Sequence, residues 1–583
     1  MKLAIIGSGA TAIYILKHLS EYRDHGVSEI HIFEKESLMG MGMPYNPIYT
    51  DKYHLANITS EEIPLLTTSF SEWLRAQSAE VLNDLAIERD QISDNEVYSR
   101  IALGRYLHDQ YTKILDDMAS VGTLVFQYPG IEVIDIADEP NKSMARIYAS
   151  DGSNMVFDHV FISTGHNFDQ PDKPASGYFK SPWPIEKILP QTGTFYNFEI
   201  GLLGASLSAF DVVTSLVHRH GRFMKRGDRI IFKKHPSAPQ FKIKMHSAEG
   251  WLPHLQYEQK NPMREIYRYI SRDGLLKLCD NEGRLRIDDY FDALCRPVLR
   301  DSLSANGYEE AAERLNDHTF KFSDFIEKMS ERHEYENPFE GMVEEMRVAS
   351  TSVNEDIPIY WKEAMDDLMY TLNFHMEMLP AEDQIFFRES VMPFLLNVIA
   401  ALPLQSAKIL LALHDAGVLD LIKGKIENIE TDQKSTRISV VREENTTNYN
   451  YRIFIECGGD KKINLESYPF QSLVKDGLVR ASSAAFANVV AEDDRTDETV
   501  FKENGKWFKT LPGIDVDSAY RVIGSDGRAN PRIYDPTFTH IQGVRPYSYG
   551  LQACNTTAEI LVQHFIKNRV RNSEVPVSAK DTN

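Results

Sequence analysis

The chain has 583 residues, of which 42% are hydrophobic and 25% are charged, and its formal net charge is −22. This length predicts two or three domains, and the composition is typical of an ordinary globular protein. The acidic balance argues against nucleic acid and against an anionic membrane surface as the main partner.

Neither the cysteines nor the apolar stretches indicate export or membrane insertion. The four cysteines lack C-x-x-C spacing, which predicts neither a metal site nor a dithiol centre and fits a reducing compartment. The chain begins inside a predicted strand, which leaves no room for a signal peptide, and its longest apolar stretch, Phe394 to Leu404, is too short to span a bilayer. We therefore expect a cytoplasmic protein.

A glycine-rich turn stands between the first predicted strand and the first predicted helix. Lys2 to Ile6 is a short apolar run, and apolar residues recur at helical spacing from Ile13 to Leu19. The turn has the pattern G-x-G-x-x-A and consists of Gly7, Ser8, Gly9, Ala10, Thr11 and Ala12. In such turns the first glycine permits the bend, the second lets the backbone approach a pyrophosphate, and the small third residue lets helix and strand pack closely. The sequence therefore predicts a dinucleotide site at the helix N-terminus.

The segment after the second strand continues this site. Ile30 to Phe33 is apolar and ends on Glu34, whose carboxylate can accept hydrogen bonds from the ribose hydroxyls of an adenosine. Lys35 follows, and Gly42 lies in a loop that can fold back across a bound cofactor, with a plain surface turn as the alternative. The amide of Asn57 is a suitable partner for the mixed donor and acceptor edge of a flavin ring.

The next predicted elements lead to a second contact with the same ligand. Residues 72–85 and 100–118 read as amphipathic helices, and strands are expected within 125–136, at 146–149 and at 156–157. The apolar strand that begins at His159 ends in Ser163, Thr164 and Gly165. Small residues at the end of a buried strand bring the backbone close to a ligand at the carboxyl edge of the sheet.

A second, altered turn follows the strand Glu199 to Leu203. Its pattern is G-x-S-x-S-A, with Gly204 first, Ser206 in place of the middle glycine, and Ser208 fifth. The Cβ atom of Ser206 would crowd a pyrophosphate, although its hydroxyl can donate a hydrogen bond. Two interpretations stay open, a working or vestigial NAD(P)H site and a purely structural turn. Nearby basic residues favour NADPH over NADH, with a solvated face as the alternative; they are Lys233, Lys234, His235, Lys242 and Lys244.

The remaining pattern is helical and then returns to strands. Aromatic and aliphatic residues recur at helical spacing up to about residue 422, which predicts a helical insertion or cap. Strands are expected from residue 424 on, and the strand that ends at Cys457 resembles the one before Gly165, which predicts re-entry into the first domain. Gly550 and Leu551 would present backbone N–H groups to a flavin at the start of a final helix. The expected divisions are 1–190, 191–255, 256–422, 423–567 and a solvated tail, 568–583.

Taken together, these motifs resemble those of bacterial FAD/NAD(P)-binding proteins, a family related to class B flavin monooxygenases and amino-acid N-hydroxylases. The resemblance implies an α/β fold with a Rossmann-like FAD-binding domain, a second dinucleotide-binding domain of the NAD(P)H type and a largely helical insertion. It also implies roles for individual residues: Gly7, Gly9, Thr11 and Glu34 at the FAD pyrophosphate and ribose, Val133 at the adenine through its backbone, and Asn57, Thr164, Gly165 and Leu551 near the cofactor body. Ser206 departs from the glycine of the monooxygenases.

The leading hypothesis is an FAD-dependent oxidoreductase that is reduced by NADPH or NADH and is monooxygenase-like, acting on a small molecule. The alternative is a flavin-binding regulatory or interaction module whose helical insertion meets a protein partner and whose second nucleotide site is inert. No metal site and no particular catalytic side chain is predicted.

Overall fold

The computed structural model of the chain describes residues 1–166, 171–227, 229–330, 337–458, 463–490 and 494–574. Its first sheet has six strands in the spatial order Arg521–Ile523, Ala529–Tyr534, His159–Ile162, Lys2–Ile6, Glu29–Glu34 and Leu124–Pro129. Neighbouring strands are parallel except for the first pair. A parallel sheet is covered on both faces, which explains why residues 3–6 form a continuous apolar run with almost no exposure.

Helices cover this first sheet. Ala10–Ser20 follows the glycine turn and packs against the long C-terminal helix Gly550–Glu574, and Arg100–Ser120 completes the layer. The final helix is longer than expected, since the tail predicted from residue 568 is helical as far as residue 574; residues 575–583 lie outside the described part. We refer to the first sheet with these helices as the FAD-type domain.

Three small units decorate the FAD-type domain. The antiparallel meander Val133–Glu139, Met144–Ala149 and Asn154–Phe157 matches the strands predicted there, and Leu55–Thr59 pairs with Val97–Ser99. The helix expected over 72–85 is instead two helices, Phe70–Ala76 and Ala79–Asp84. The break has a local cause, because the side chain of Ser78 accepts a hydrogen bond from the N–H of Val81 and starts a new helix.

A second sheet of five parallel strands has the order Tyr178–Phe179, Phe454–Glu456, Glu199–Leu203, Lys242–Ser247 and Leu419–Lys423. The helix Leu207–His220 follows the Gly204 turn, and a hairpin, Gly221–Arg226 with Arg229–Lys234, extends from it. Together these elements form the second nucleotide-type domain.

The expected return to the first domain at residue 423 is wrong. Strand Phe454–Glu456 pairs with Glu199–Leu203, placing Phe454 beside Gly201 in the second sheet. The three-stranded antiparallel unit Lys425–Thr431, Thr436–Arg442 and Asn445–Tyr451 leads into that strand. The chain re-enters the first sheet only with Arg521–Ile523 and Ala529–Tyr534, and the second of these strands lies beside His159–Ile162.

A helical insertion is present, as expected, and it lies between Lys242–Ser247 and Leu419–Lys423, two neighbouring strands of the second sheet. Its described helical segments are Arg272–Leu276, Ile287–Tyr290, Phe291–Cys295, Arg296–Ala305, Glu309–Arg314, Phe322–Ser330, Pro338–Asn354, Tyr360–Asn373, Met376–Met378, Ala381–Phe386, Phe387–Val391, Met392–Phe394, Leu395–Ile399 and Leu404–Asp415. Three of them, Phe291–Cys295, Phe387–Val391 and Leu395–Ile399, are π-helical. The insertion has its own hydrophobic core, in which Tyr290, Met365 and Phe387 are fully buried.

Between the second sheet and the final strands lie Gln471–Lys475 and a three-stranded antiparallel unit, Ala481–Ala485, Val500–Glu503 and Lys506–Ile514. Within the described ranges, none of the helices has the combination of length and apolar character needed to cross a membrane.

Candidate functional site

The glycine turn at the head of the first sheet is shaped by the strand beside it. Gly7 has φ +92°, and a Cβ atom there would lie 2.3 Å from the carbonyl oxygen of Ser163. Its N–H donates to the carbonyl oxygen of Phe33 at 2.8 Å. Only glycine fits this conformation and this contact, so the tight bend expected from the motif is present.

Glu34 holds the turn and the following loop together. The N–H and the hydroxyl of Ser8 donate to Oε2 of Glu34 at 3.0 and 2.8 Å, and the N–H of Glu36 donates to Oε1 at 3.1 Å. Gly40 in turn donates its N–H to Oγ of Ser8 at 3.0 Å. The carboxylate thus organises the backbone around the turn, and its contact with a ribose hydroxyl stays a prediction.

Gly9, at the start of the first helix, lies in close backbone contact with Gly42. A Cβ atom on Gly9 would lie 3.3 Å from Cα of Gly42, which itself has φ +79°. Gly9 is the N-cap of Ala10–Ser20, and no side chain caps that helix, while Ala12 is fully buried against the sheet. A helix start with small residues and uncapped N–H groups is a cradle that fits the diphosphate of FAD.

Two threonines in the loop that follows the last strand, Ala529–Tyr534, hold the Thr164 segment in place. Thr164 donates its N–H to Oγ1 of Thr537 at 3.3 Å, and Thr537 donates to the carbonyl oxygen of Ile162 at 3.0 Å. The hydroxyl of Thr539 donates to the carbonyl oxygen of Gly165 at 3.0 Å. Thr164 and Gly165 remain exposed at the carboxyl edge of the sheet. The sequence patterns gave no indication of the two threonines, because their spacing carries no known motif.

A cavity of about 920 Å³ lies between the FAD-type domain, the second domain and the helical insertion. Six of the predicted site residues line it: Asn57, Gly204, Ser206, Ser208, Gly550 and Leu551. The glycine turn, Glu34, Lys35, Gly42, Val133, Thr164 and Gly165 are not part of its wall. Lys35 is exposed, and Val133 is buried at the start of the meander.

Two of the residues expected at the flavin ring have unusual backbone or side-chain features. Asn57 has φ +54°, and its Oδ1 atom is buried without a hydrogen-bond partner within the described residues. Gly550 has φ +83° and starts the final helix, in which Leu551 is 2% exposed. A buried amide oxygen without a partner is costly, and a ligand donor in the cavity would satisfy it.

The second turn retains the glycine-dependent bend. Gly204 has φ +114°, and a Cβ atom there would lie 3.3 Å from the carbonyl oxygen of Cys457. Ser206 is exposed and is the N-cap of Leu207–His220, but its side chain caps none of the helical N–H groups. The start of this 14-residue helix therefore opens to the cavity with its first N–H groups uncapped by a side chain.

The basic residues expected near a 2′-phosphate do not support NADPH. Lys242 lies at the amino end of the strand Lys242–Ser247, opposite Glu199, whereas the Gly204 turn follows the carboxyl end of the neighbouring strand Glu199–Leu203. Nζ of Lys242 pairs with the carboxylate of Asp420 at 2.5 Å. Lys244 pairs with Glu199 at 3.0 Å, and Lys234 donates to the carbonyl oxygen of Pro239 at 3.0 Å. These three lysines of the predicted cluster thus face neighbouring carboxylates and backbone.

An ion pair that the sequence analysis missed joins the two nucleotide-type domains. Nη1 of Arg100 lies 2.8 Å from Oδ2 of Asp211, which follows the second turn. Burial raises the pKa of Asp211 to about 6, and Arg100 opposes that rise. Beside the pair, Nε2 of His54 lies 2.8 Å from Oγ of Ser215, and burial lowers the pKa of His54 to about 3, so this ring is neutral.

The helical insertion contributes charged groups to the cavity. Arg264 donates from Nε to Oδ2 of Asp366 at 2.8 Å, and the hydroxyl of Tyr547 donates to Oδ1 of the same carboxylate at 2.7 Å. On the FAD-type side, burial and the nearby Glu258 raise the pKa of Glu61 to about 6. The insertion therefore supplies part of the wall of the site as well as a cap.

Two family models match this chain. Residues 4–167 match a model described as FAD-NAD(P)-binding, and residues 275–399 match one described as YdhS-like middle domain. The first match confirms the expected resemblance to FAD/NAD(P)-binding proteins, and the second covers most of the helical insertion.

One related protein and several solved structures are similar to this chain over most of its length. The uncharacterized protein YdhS of Escherichia coli K12 is 25% identical over 484 residues, covering 81% of this chain and 85% of YdhS. Among solved structures, an ornithine N-hydroxylase of Kutzneria sp. 744 has a TM-score of 0.47 and 10% identity over 97% of this chain and 99% of its own. The ornithine hydroxylase of Pseudomonas aeruginosa has a TM-score of 0.43 and 11% identity over 97% and 99%.

Proposed function

We propose that this chain, whose residues 4–167 match the FAD-NAD(P)-binding model, is an FAD-dependent oxidoreductase of the monooxygenase type. In this proposal a nicotinamide nucleotide at the Gly204 turn supplies the electrons, and a small molecule in the cavity is the substrate. The proposal names no catalytic side chain.

The main support for this proposal is that residues assigned to the two cofactors line the same cavity. Asn57 and Leu551, which we assign to the flavin ring, share the cavity with Gly204 and Ser206, which we assign to the nicotinamide nucleotide. A redox enzyme of this kind needs both cofactors to meet at one space that also admits a substrate. The unpartnered Oδ1 atom of Asn57 supports a ligand with a hydrogen-bond donor at this position.

Each group of residues has a separate task in this proposal. The Gly7 to Ala12 turn and the start of the first helix bind the diphosphate through backbone N–H groups, and Glu34 fixes the turn. Asn57 orients the ring by a hydrogen bond, and the N-terminus of the final helix, at Gly550, stabilises negative charge near it. FAD, when bound, supplies electron transfer from the nicotinamide to oxygen or to another acceptor. The insertion excludes water from the cavity.

The test is anaerobic reduction of the purified, FAD-loaded protein. We expect a flavin absorption band in the purified or reconstituted protein, and we expect NADH or NADPH to bleach that band rapidly. Free FAD at the same concentration is the control for direct reduction. Because Lys242 and Lys244 face carboxylates, we expect NADPH to have no more than a small advantage over NADH.

Two results would contradict the proposal. A protein that takes up no FAD would refute the assignment of the first turn. A flavin-loaded protein that neither nucleotide reduces would instead favour a flavin-binding regulatory module with an inert second site. Readmission of oxygen after reduction, with measurement of peroxide, then tests the oxygen-using part of the proposal.

We also propose that the protein works in the cytoplasm. The four cysteines are free, and burial raises the pKa of Cys295 and Cys457, which makes both thiols poor nucleophiles. Free thiols without disulfides are typical of reducing compartments. Localisation of a tagged full-length chain by fractionation tests this proposal.

A further inference from the structure

We propose that Arg388 binds an anionic group, a carboxylate, of the substrate inside the cavity. This proposal deepens the function proposed above, and it rests on the cavity being the substrate site. It names the chemical class of the substrate as an organic acid with an apolar body.

Arg388 reaches the cavity from an unusual stretch of helix. It lies in the π-helical segment Phe387–Val391, and a second π-helical segment, Leu395–Ile399, follows after one short turn. Residues from both segments line the cavity, including Arg388, Leu396 and Ile399. π-helical turns are uncommon and occur frequently at functional sites.

The hydrogen bonds of Arg388 leave part of its guanidinium group unused. Nη1 donates to the carbonyl oxygen of Gln384 at 2.9 Å and to its Oε1 at 3.2 Å, and Nη2 donates to the carbonyl oxygen of Gly543. Within the described residues Nε has no acceptor, and no carboxylate lies within 4.0 Å of the group. The side chain is therefore held in place by neutral acceptors, while its charge has no counterion among the described residues.

Every other buried or half-buried arginine in the described part of the chain has a carboxylate within 4.0 Å. Arg264, on the same cavity, pairs with Asp366, and the fully buried Arg545 pairs with Glu377 at 2.6 Å. Apart from Arg388, the described part of the fold therefore pairs each arginine that it buries or half-buries with a carboxylate. Arg388 is the exception, which indicates that its counterion arrives with a ligand.

The surroundings of Arg388 strengthen its interaction with an anion. The part of the cavity wall that follows Arg388 along the chain is mainly apolar and includes Met392, Pro393 and Leu396, with Asn397 as a polar member. Burial without an acidic partner lowers the pKa of Arg388 to about 10, so the group is still charged at neutral pH. A charge in such a setting attracts an oxyanion more strongly than an exposed charge does.

Two sources of oxyanion can reach this cavity, the substrate and the phosphates of the nicotinamide nucleotide. The Gly204 turn has its own uncapped helix start for phosphate, which follows Ser206. The wall that follows Arg388 along the chain, from Met392 to Pro403, is mainly apolar and fits an organic acid better than a polar diphosphate. We therefore assign the anion to the substrate.

The experiment measures binding of simple carboxylates to the full-length FAD-loaded protein by titration calorimetry. The probes are hexanoate and benzoate, with hexanamide and benzamide as neutral matches of nearly the same shape. We expect each acid to bind at least about tenfold more tightly than its amide, which is the effect of one charge-assisted hydrogen-bonded pair. Arg388→Gln should remove that preference, and Arg388→Lys should retain part of it. Arg442→Gln, at an exposed arginine, is the matched control and should behave as the unaltered protein.

The outcomes separate this proposal from the proposed function. Equal binding of acid and amide to the unaltered protein would overturn the proposal, and so would an acid preference that persists in Arg388→Gln. If Arg388→Gln instead raises the NADH or NADPH concentration needed for half-maximal bleaching and leaves acid binding unchanged, the anion belongs to the nucleotide and the assignment is wrong. A protein that binds acids through Arg388 but is never reduced by either nucleotide would refute the oxidoreductase function alone.

Discussion

Replacement of Gly7 by alanine should destabilise the protein, because the first turn has no room for a Cβ atom at this position. At φ +92° a residue with a Cβ atom carries about 1–2 kcal/mol of backbone strain. The new methyl group would also stand 2.3 Å from the carbonyl oxygen of Ser163, a backbone atom that cannot rotate away, and such overpacking costs about 1–3 kcal/mol. We therefore expect Gly7→Ala to lower the free energy of unfolding by about 2–5 kcal/mol.

A second glycine separates the two contributions. Gly152 has φ +83°, but a Cβ atom there would have nothing within 4 Å, so Gly152→Ala should carry the strain alone, about 1–2 kcal/mol. Urea denaturation of both FAD-free variants, followed by circular dichroism, measures the difference. Equal losses in the two variants would show that the contact with Ser163 does not constrain the turn and would refute the reasoning.

A third glycine tests cofactor binding without backbone strain. Gly9 has an ordinary φ of −76°, and a Cβ atom there would meet Cα of Gly42 at 3.3 Å. Gly9→Ala should therefore change stability by less than about 1 kcal/mol while shifting the Gly42 loop and weakening FAD retention. The FAD content after dialysis measures this effect, and unchanged retention would argue against a diphosphate at Gly9.

Three further predictions concern the second domain. Ser206→Asp should place a carboxylate at the uncapped helix start and raise the nucleotide concentration for half-maximal flavin bleaching at least about tenfold, with FAD content unchanged; an unaltered titration would remove the nucleotide from this turn. Arg100→Met should leave the buried carboxylate of Asp211 without its partner and lower the free energy of unfolding by about 3–5 kcal/mol. The added change Asp211→Asn should restore much of the lost stability in urea denaturation. Burial lowers the pKa of His246 to about 4, so its contribution to stability is lost as pH falls from about 6.5 through 4; His246→Gln should flatten that part of the stability profile, and an unchanged slope would show that other groups dominate it.

Much of the FAD-type domain was predictable because its signals are local. The strand at Lys2–Ile6, the turn and the first helix follow each other within 20 residues, and each has a recognisable pattern. The same holds for the meander after Val133. The glycine turn at Gly204 was also found, since its bend depends on one residue and its neighbours.

Strand partners far apart in sequence were not predictable in the same way. Phe454–Glu456 has the apolar pattern and small following residues expected of either parallel sheet, and nothing local tells which one it joins. Its neighbours in the second sheet, Tyr178–Phe179 and Glu199–Leu203, lie more than 200 residues earlier in the chain. The assignment therefore went to the wrong domain.

The cavity residues of the insertion were missed for a different reason. Arg264 and Arg388 stand among charged residues that usually mark the solvated face of a helix, and only the packed structure shows which of them turn inward. Lys242 shows the converse error, since its charge suggested a ligand role, whereas its place at the amino end of a strand excludes contact with the Gly204 turn.

The threonine contacts of the final strands have a consequence for how the protein is made. Thr537, Thr539 and the helix that starts at Gly550 contact the carboxyl edge of a sheet whose strand Lys2–Ile6 is synthesised first. The Thr164 segment is therefore held only after residue 539 has been made. The part of the cavity wall formed by Gly550 and Leu551 requires the final helix, which ends at residue 574. A ribosome-bound nascent chain can display the diphosphate turn early, yet it can enclose a flavin only when nearly the whole polypeptide has emerged.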